Sequence, residues 1–145
     1  MLSILWSIIA GATMSIQGVI NTRLSEKVGL YESNIFVQGT AFLFSLVALF
    51  FLGKGSFSSF LDVKKIYWIG GLLGIIITIT VMLSIKNLSP TIAISIILIS
   101  QLLVAAIIDY FGIFDTQKMA FEWTKFLGLF LMIIGVVLFK LNLEK

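Results

Sequence analysis

The sequence contains no cysteine and no histidine, one proline, and few charged residues. Without Cys or His, the chain cannot form disulfides, thiol nucleophiles, imidazole acid–base pairs or the usual zinc sites. Charged residues make up 12% of the chain and hydrophobic residues 59%, whereas a soluble domain has about a quarter charged and about half apolar residues. Too few charges remain to cover a water-facing surface. The composition therefore predicts an integral membrane protein whose first partner is the lipid bilayer.

The distribution of charged residues and the short loops argue against further functional classes. The net charge is +3, but the basic residues are scattered rather than clustered, so we expect no nucleic acid partner. No nucleophile–base pair can be built in the short loops, which argues against an enzyme. We also expect no cofactor and no metal ion.

Five apolar runs follow one another along the chain, at approximately residues 2–22, 33–52, 66–85, 90–111 and 121–141. About 20 helical residues cross a hydrocarbon core of about 30 Å. The runs are continuously apolar, whereas strands of a membrane barrel alternate polar and apolar residues. Ser89 and Pro90 are typical of a helix start, and Gly112 of a helix end. The fifth run is the shortest between charges, with Lys125 and Lys140 placed to snorkel. The pattern predicts an all-α integral membrane protein, a single transmembrane domain (1–145) with five helices.

The basic residues divide evenly between the two membrane faces if all five runs cross. Orientation normally follows an excess of Lys and Arg in cytoplasmic loops, and here neither face has one. One interpretation is a weakly biased protein oriented by its first helix. The other is insertion in both orientations, which gives an antiparallel homodimer of ten helices. One face receives Lys54, Lys64, Lys65, Lys118 and Lys125, and the other Arg23, Lys27, Lys86, Lys140 and Lys145.

Two of the runs carry polar side chains at helical spacing. Thr13, Gln17 and Asn21 follow at i, i+4 and i+8 in the first, and Gln101 and Asp109 lie eight residues apart in the fourth. Amides at this depth either line a cavity or hydrogen-bond to a facing helix, a contact that contributes on the order of 0.6–2 kcal/mol. Asp109 falls near the headgroups, as the guard of a cavity mouth or as a solvated helix end.

Glycines recur in the runs at positions that suit close helix packing, although glycine is common in membrane helices. The candidates are Gly11, Gly18, Gly70, Gly74, Gly128 and Gly135.

Four segments together resemble the YdcZ-like branch of the drug/metabolite transporter superfamily, in order and over nearly the whole chain. They are "GATMSIQGVINTRL" (11–24), "WIGGLLGIIIT" (68–78), "ISQLLVAAIIDYFGIF" (99–114) and "LGLFLMIIGVVL" (127–138). One position departs from the family pattern: Ser100 stands where a glycine usually precedes the glutamine.

The resemblance implies a half-size transporter of the cytoplasmic (inner) membrane whose five helices pair into a ten-helix unit. The implied activity is movement of a small metabolite or toxic compound by alternating access, with Gln17, Asn21, Gln101 and Asp109 at the motif positions and Ser100 beside them. The architecture also resembles the small multidrug resistance transporters, but no membrane-central carboxylate corresponds to their glutamate. Two other hypotheses stay open: a non-transporting subunit that docks a partner protein, and a passive dual-topology channel.

Overall fold

The computed structural model of the protein describes residues 1–120 and 122–141, and every regular element in these residues is helical. Short 3₁₀ turns lie at Phe57–Leu61, Lys65–Ile69 and Ile113–Asp115. The five α-helices are α1 (Leu2–Val28), α2 (Leu30–Leu52), α3 (Gly70–Asn87), α4 (Pro90–Phe111) and α5 (Trp123–Leu141).

Within the described residues, four helical segments are long and apolar enough to cross a membrane: Leu2–Val28, Leu30–Leu52, Lys65–Asn87 and Pro90–Phe111. The apolar part of α5, Trp123–Phe139, is shorter. The prediction of an all-helical chain with helices long and apolar enough to cross a membrane is therefore confirmed, while the crossing of the fifth helix stays a prediction.

The first two helices are longer than the predicted runs. α1 continues past Arg23 to Val28, and α2 already begins at Leu30 instead of Ser33. A charged residue ends the part of a helix that suits lipid, but it does not interrupt the backbone hydrogen bonds. The break between the helices falls at Gly29, whose φ of 105° is a conformation that L side chains rarely adopt. With 27 residues, α1 is about 40 Å long, so its last turns extend beyond a core of about 30 Å or the helix tilts.

Two later helix starts also differ from the predicted runs. α3 begins at Gly70 because the preceding residues, Lys65–Ile69, form a 3₁₀ turn instead of α-helix. α5 begins at Trp123, and the predicted start of the fifth run at residue 121 lies outside the described residues.

The predicted caps of α4 are confirmed. The Ser89 hydroxyl accepts a hydrogen bond from the Ile92 backbone N–H at 3.4 Å, and Pro90 occupies the first turn. At the other end, Gly112 adopts a left-handed conformation with φ of 65°, and its N–H donates to the Ile108 carbonyl.

The helices form two compact units, Met1–Asn87 and Leu88–Lys145. In the first unit α1, α2 and α3 each pack against the other two, and in the second α4 packs against α5. The single transmembrane domain stays a prediction.

Candidate functional site

The polar stripe predicted on α1 divides between the surface and the interior of the first unit. Asn21 is buried, with 8% of its surface exposed. Thr13 and Gln17 are exposed; the Thr13 hydroxyl donates to the Ile9 carbonyl of its own helix at 2.7 Å, and the Gln17 amide has no hydrogen-bond partner among the described residues. Each i to i+4 step overshoots a full turn by about 40°, so a three-residue stripe curves around the helix. Its two ends therefore meet different surroundings.

Asn21 belongs to a buried polar junction where α1 ends, α2 begins and α3 ends. Ser33, fully buried on α2, has its hydroxyl within hydrogen-bond distance of the Asn21 carbonyl oxygen (3.4 Å) and of Met82 Sδ on α3 (3.7 Å). The neighbouring buried hydroxyls of Thr22 and Ser25 bond to carbonyls of their own helix. The junction thus ties the three helices together through polar atoms, which need partners once they leave water.

Two further polar residues of the first unit, Asn34 and Gln38 on α2, were not predicted as site residues from the sequence. Gln38 Nε2 donates to Thr78 Oγ1 on α3 at 3.5 Å, and Thr78 Oγ1 in turn donates to the Gly74 carbonyl at 2.8 Å. Asn34 is 7% exposed, and its Oδ1 atom has no hydrogen-bond partner in the part of the chain that the structure describes. The sequence did contain a signal for them, because these two residues have the same i, i+4 spacing as Gln17 and Asn21.

Of the glycines predicted to pack helices, Gly18 and Gly74 lie close to a neighbouring helix. A Cβ atom on Gly18 would lie 2.9 Å from Ile85 Cδ1 and 3.1 Å from Val81 Cγ1, and one on Gly74 would lie 3.5 Å from Gln38 Nε2. At the other four, no described atom outside the glycine's own stretch of helix lies within 4 Å of the Cβ position. These are Gly11, Gly70, Gly128 and Gly135.

The amide predicted on α4 lies on the surface of the second unit. Gln101 is exposed and has no hydrogen-bond partner among the described residues. Ser100 is exposed beside it, and its hydroxyl donates to the Ile96 carbonyl at 3.0 Å. The cavity-lining roles of both residues stay predictions.

Asp109 lines a cavity of about 340 Å³ between α4 and α5, and Lys125 and Gly128 of α5 line the same cavity. Asp109 is half-buried. Lys125 Nζ donates to the Ala120 carbonyl at 3.1 Å, and the two charged groups form no ion pair with each other in the structure. Asp109 and Lys125 therefore line one cavity of the same chain, a pairing that was not predicted from the sequence.

The chemistry available at these places is binding chemistry. Amides, hydroxyls, one carboxylate and one ammonium group can hold a solute by hydrogen bonds and charge. Among the described residues, no three His, Cys, Asp or Glu side chains come together in a group that could hold a metal ion.

Comparison with known protein families agrees with this chemistry. The chain matches the model of the family DMT_YdcZ, described as "Putative inner membrane exporter, YdcZ", over residues 2–138. No curated protein and no solved structure matches the chain. The family match spans nearly the whole sequence and confirms the resemblance seen in its segments. The chain belongs to the YdcZ family and is a membrane transporter of the inner membrane.

Proposed function

We propose that two copies of the chain, inserted in opposite orientations, form a ten-helix exporter that moves a small solute outward by alternating access. The proposal rests on one observation above all: the amides of Gln17 and Gln101 are exposed in the single chain without a hydrogen-bond partner among the described residues.

An exposed amide is costly in lipid. Gln101 lies about 16 Å along α4, which is near the middle of a bilayer core of about 30 Å. Hydrocarbon offers an amide no hydrogen bond, so such a group faces another helix or a water-filled cavity. A second copy of the chain supplies both, since its helices can close a cavity against this face.

The loop charges support the antiparallel arrangement. With five crossings, the basic residues divide five and five between the two faces. One face receives Lys54, Lys64, Lys65, Lys118 and Lys125, and the other receives Arg23, Lys27, Lys86, Lys140 and Lys145. Neither orientation is then favoured. A twofold axis in the membrane plane relates the two copies and makes the inward-open and outward-open states equivalent, as inverted repeats do in other transporters.

The direction and the class of solute follow from two further points. The family description names an exporter, which supports outward movement. The polar groups at membrane depth are amides and hydroxyls without a central carboxylate, and these suit a neutral or zwitterionic solute better than a cation.

Flux measurements in liposomes test the proposal against its alternatives. Purified protein is reconstituted, and uptake of small neutral and zwitterionic solutes is followed with and without an imposed ion gradient. Saturable uptake above the equilibrium level is expected of a transporter. Flux that never exceeds equilibrium identifies a channel, and absence of flux together with partner-dependent pull-down identifies a subunit.

A further inference from the structure

We propose that the cavity between α4 and α5 is a binding subsite for a small zwitterion, in which Asp109 receives the cationic group and Lys125 the anionic group. The proposal rests on the proposed transport function, since it assigns a part of the solute's path and the solute's charge pattern.

The cavity has the dimensions of a ligand site. Its volume of about 340 Å³ lies at the lower end of the range of about 300–1,000 Å³ seen for small-molecule pockets. Apart from the two charged residues, the walls are formed by leucine, alanine, methionine and glycine residues. Apolar walls with a few convergent polar groups are the usual composition of such a pocket.

The two charges face one cavity without neutralising each other. The structure records no ion pair between Asp109 and Lys125, and the Lys125 ammonium donates instead to the Ala120 carbonyl. The Asp109 carboxylate makes no hydrogen bond to the described residues; its backbone carbonyl accepts from the Met119 N–H at 2.9 Å, so only the main chain is satisfied. Asp109 also lies three residues before Gly112, at a helix C-terminus, where the dipole disfavours an anion. Both groups therefore have unused capacity to bind an opposite charge.

Gly128 creates the space between them. It lies one turn after Lys125 on α5 and lines the cavity, and no described atom outside its own stretch of helix lies within 4 Å of its Cβ position. A larger residue here would project into the cavity without meeting α4. Gly135, one heptad further along α5, likewise has no such described atom within 4 Å of its Cβ position, but it does not line the cavity. The pair therefore offers a test and its matched control.

The charge pattern selects the ligand class. A cation alone would leave Lys125 unpaired, and an anion alone would leave Asp109 unpaired. A solute that carries both charges pairs with both residues, and an apolar body suits the remaining walls. Charge-assisted hydrogen bonds of this kind are the stronger ones in proteins.

The experiment uses the purified full chain and three probes of nearly equal shape: 4-(aminomethyl)benzoate, 4-methylbenzylamine and 4-methylbenzoate. Binding is read from the rise of the thermal unfolding midpoint with probe concentration. We expect the zwitterion to bind about tenfold more tightly than either singly charged analogue, as one lost charge-assisted hydrogen bond implies. Asp109→Asn should bring the zwitterion to the level of 4-methylbenzoate, and Lys125→Gln to the level of 4-methylbenzylamine.

A second set of variants in the same binding experiment fills the cavity. Gly128→Val should abolish binding of the zwitterion, and Gly135→Val should leave it unchanged. If Gly128→Val does not fold, Gly128→Ala should still weaken binding, because its methyl group enters the same space. Equal binding of the three probes by the wild-type protein, or full binding by a folded Gly128 variant, would overturn the subsite.

These outcomes separate the subsite from the transport function. Transport of other solutes in liposomes together with failed zwitterion binding rejects the subsite alone. Zwitterion binding that obeys the variant pattern without any flux rejects the transporter and keeps the subsite.

Discussion

Gly18 of α1 lies directly against Ile85 of α3: a Cβ atom on the glycine would lie 2.9 Å from Ile85 Cδ1. The contact is helix against helix, and the missing side chain brings the two backbones close together. Because Cδ1 is the end of a flexible side chain, a methyl group can be accommodated by a small movement, whereas a branched side chain cannot.

We therefore expect Gly18→Val to lower the free energy of unfolding by about 1–3 kcal/mol, the usual cost of overpacking. Gly18→Ala should be close to neutral. Gly11→Val is the control, since no described atom outside its own stretch of helix lies within 4 Å of its Cβ position and it carries the same change in helix propensity. Unfolding of the purified protein in detergent measures all three. A Gly18→Val protein as stable as the Gly11→Val protein would contradict the close contact.

The unpartnered carbonyl of Asn34 leads to a prediction in which stability and activity change differently. Asn34→Leu removes a buried acceptor that has no donor among the described residues, so the free energy of unfolding should stay equal or rise by up to about 1 kcal/mol. Transport should fall, because a buried polar atom without a partner is retained where it has a role in another state or with a ligand.

Gln38→Leu is the matched variant on the same face of α2. It removes the hydrogen bond to Thr78 and should lower the free energy of unfolding by about 0.6 kcal/mol, the average for such bonds in membranes. Asn34→Leu destabilising the protein more than Gln38→Leu would show that the Asn34 carbonyl has a partner in the membrane.

Gln101→Leu separates cavity lining from helix contact. If the amide contacts the solute, the variant should lose transport while expression and dimerisation stay intact. Transport per reconstituted protein and cross-linking of the dimer are the two measurements. A variant that assembles poorly but transports normally in each surviving dimer would contradict the cavity assignment. Ser95→Ala is the control, because its hydroxyl donates to the Thr91 carbonyl of its own helix and the residue is not among the predicted cavity residues.

The antiparallel dimer predicts that both chain ends are found on both sides of the membrane. Because the chain has no cysteine, single cysteines added at the N-terminus or the C-terminus can be labelled from outside intact cells. Both should be accessible in part of the population. A single accessible terminus in the unmodified chain would exclude the antiparallel homodimer.

Adding positive charge to one end of the chain tests the same prediction through transport activity. Two lysines at the N-terminus should hold that end in the cytoplasm and abolish transport, because the inverted copy disappears. Co-expression of a chain with two lysines at the C-terminus should restore transport. Full activity of either biased chain alone would require a parallel assembly or a different partner.

Composition alone determined that this protein is surrounded by lipid and not by water. A chain with 12% charged residues has too few charges to cover a water-facing surface. The spacing of apolar runs predicted helices of membrane length, and local chemistry predicted the caps of α4 at Ser89, Pro90 and Gly112. These features depend on neighbours in sequence, so one sequence suffices to find them. The end of α1 at Val28 and the start of α2 at Leu30 were not predicted, because a charged residue limits the stretch that suits lipid but does not end the helix.

Which side of each helix faces its neighbours was decided only by the tertiary structure. The sequence placed Gln17 and Asn21 on one stripe, but packing against α2 and α3 buried Asn21 and left Gln17 exposed. From the sequence, all six glycines were predicted to pack helices. In the folded chain, neighbouring side chains lie close to Gly18 and Gly74, whereas Gly128 lines a cavity together with Lys125. Nothing in the spacing of Asp109 and Lys125 along the chain relates them, since they lie on different helices. Contacts between helices depend on rotation and depth, quantities that a run of apolar residues does not encode because every face of it is apolar.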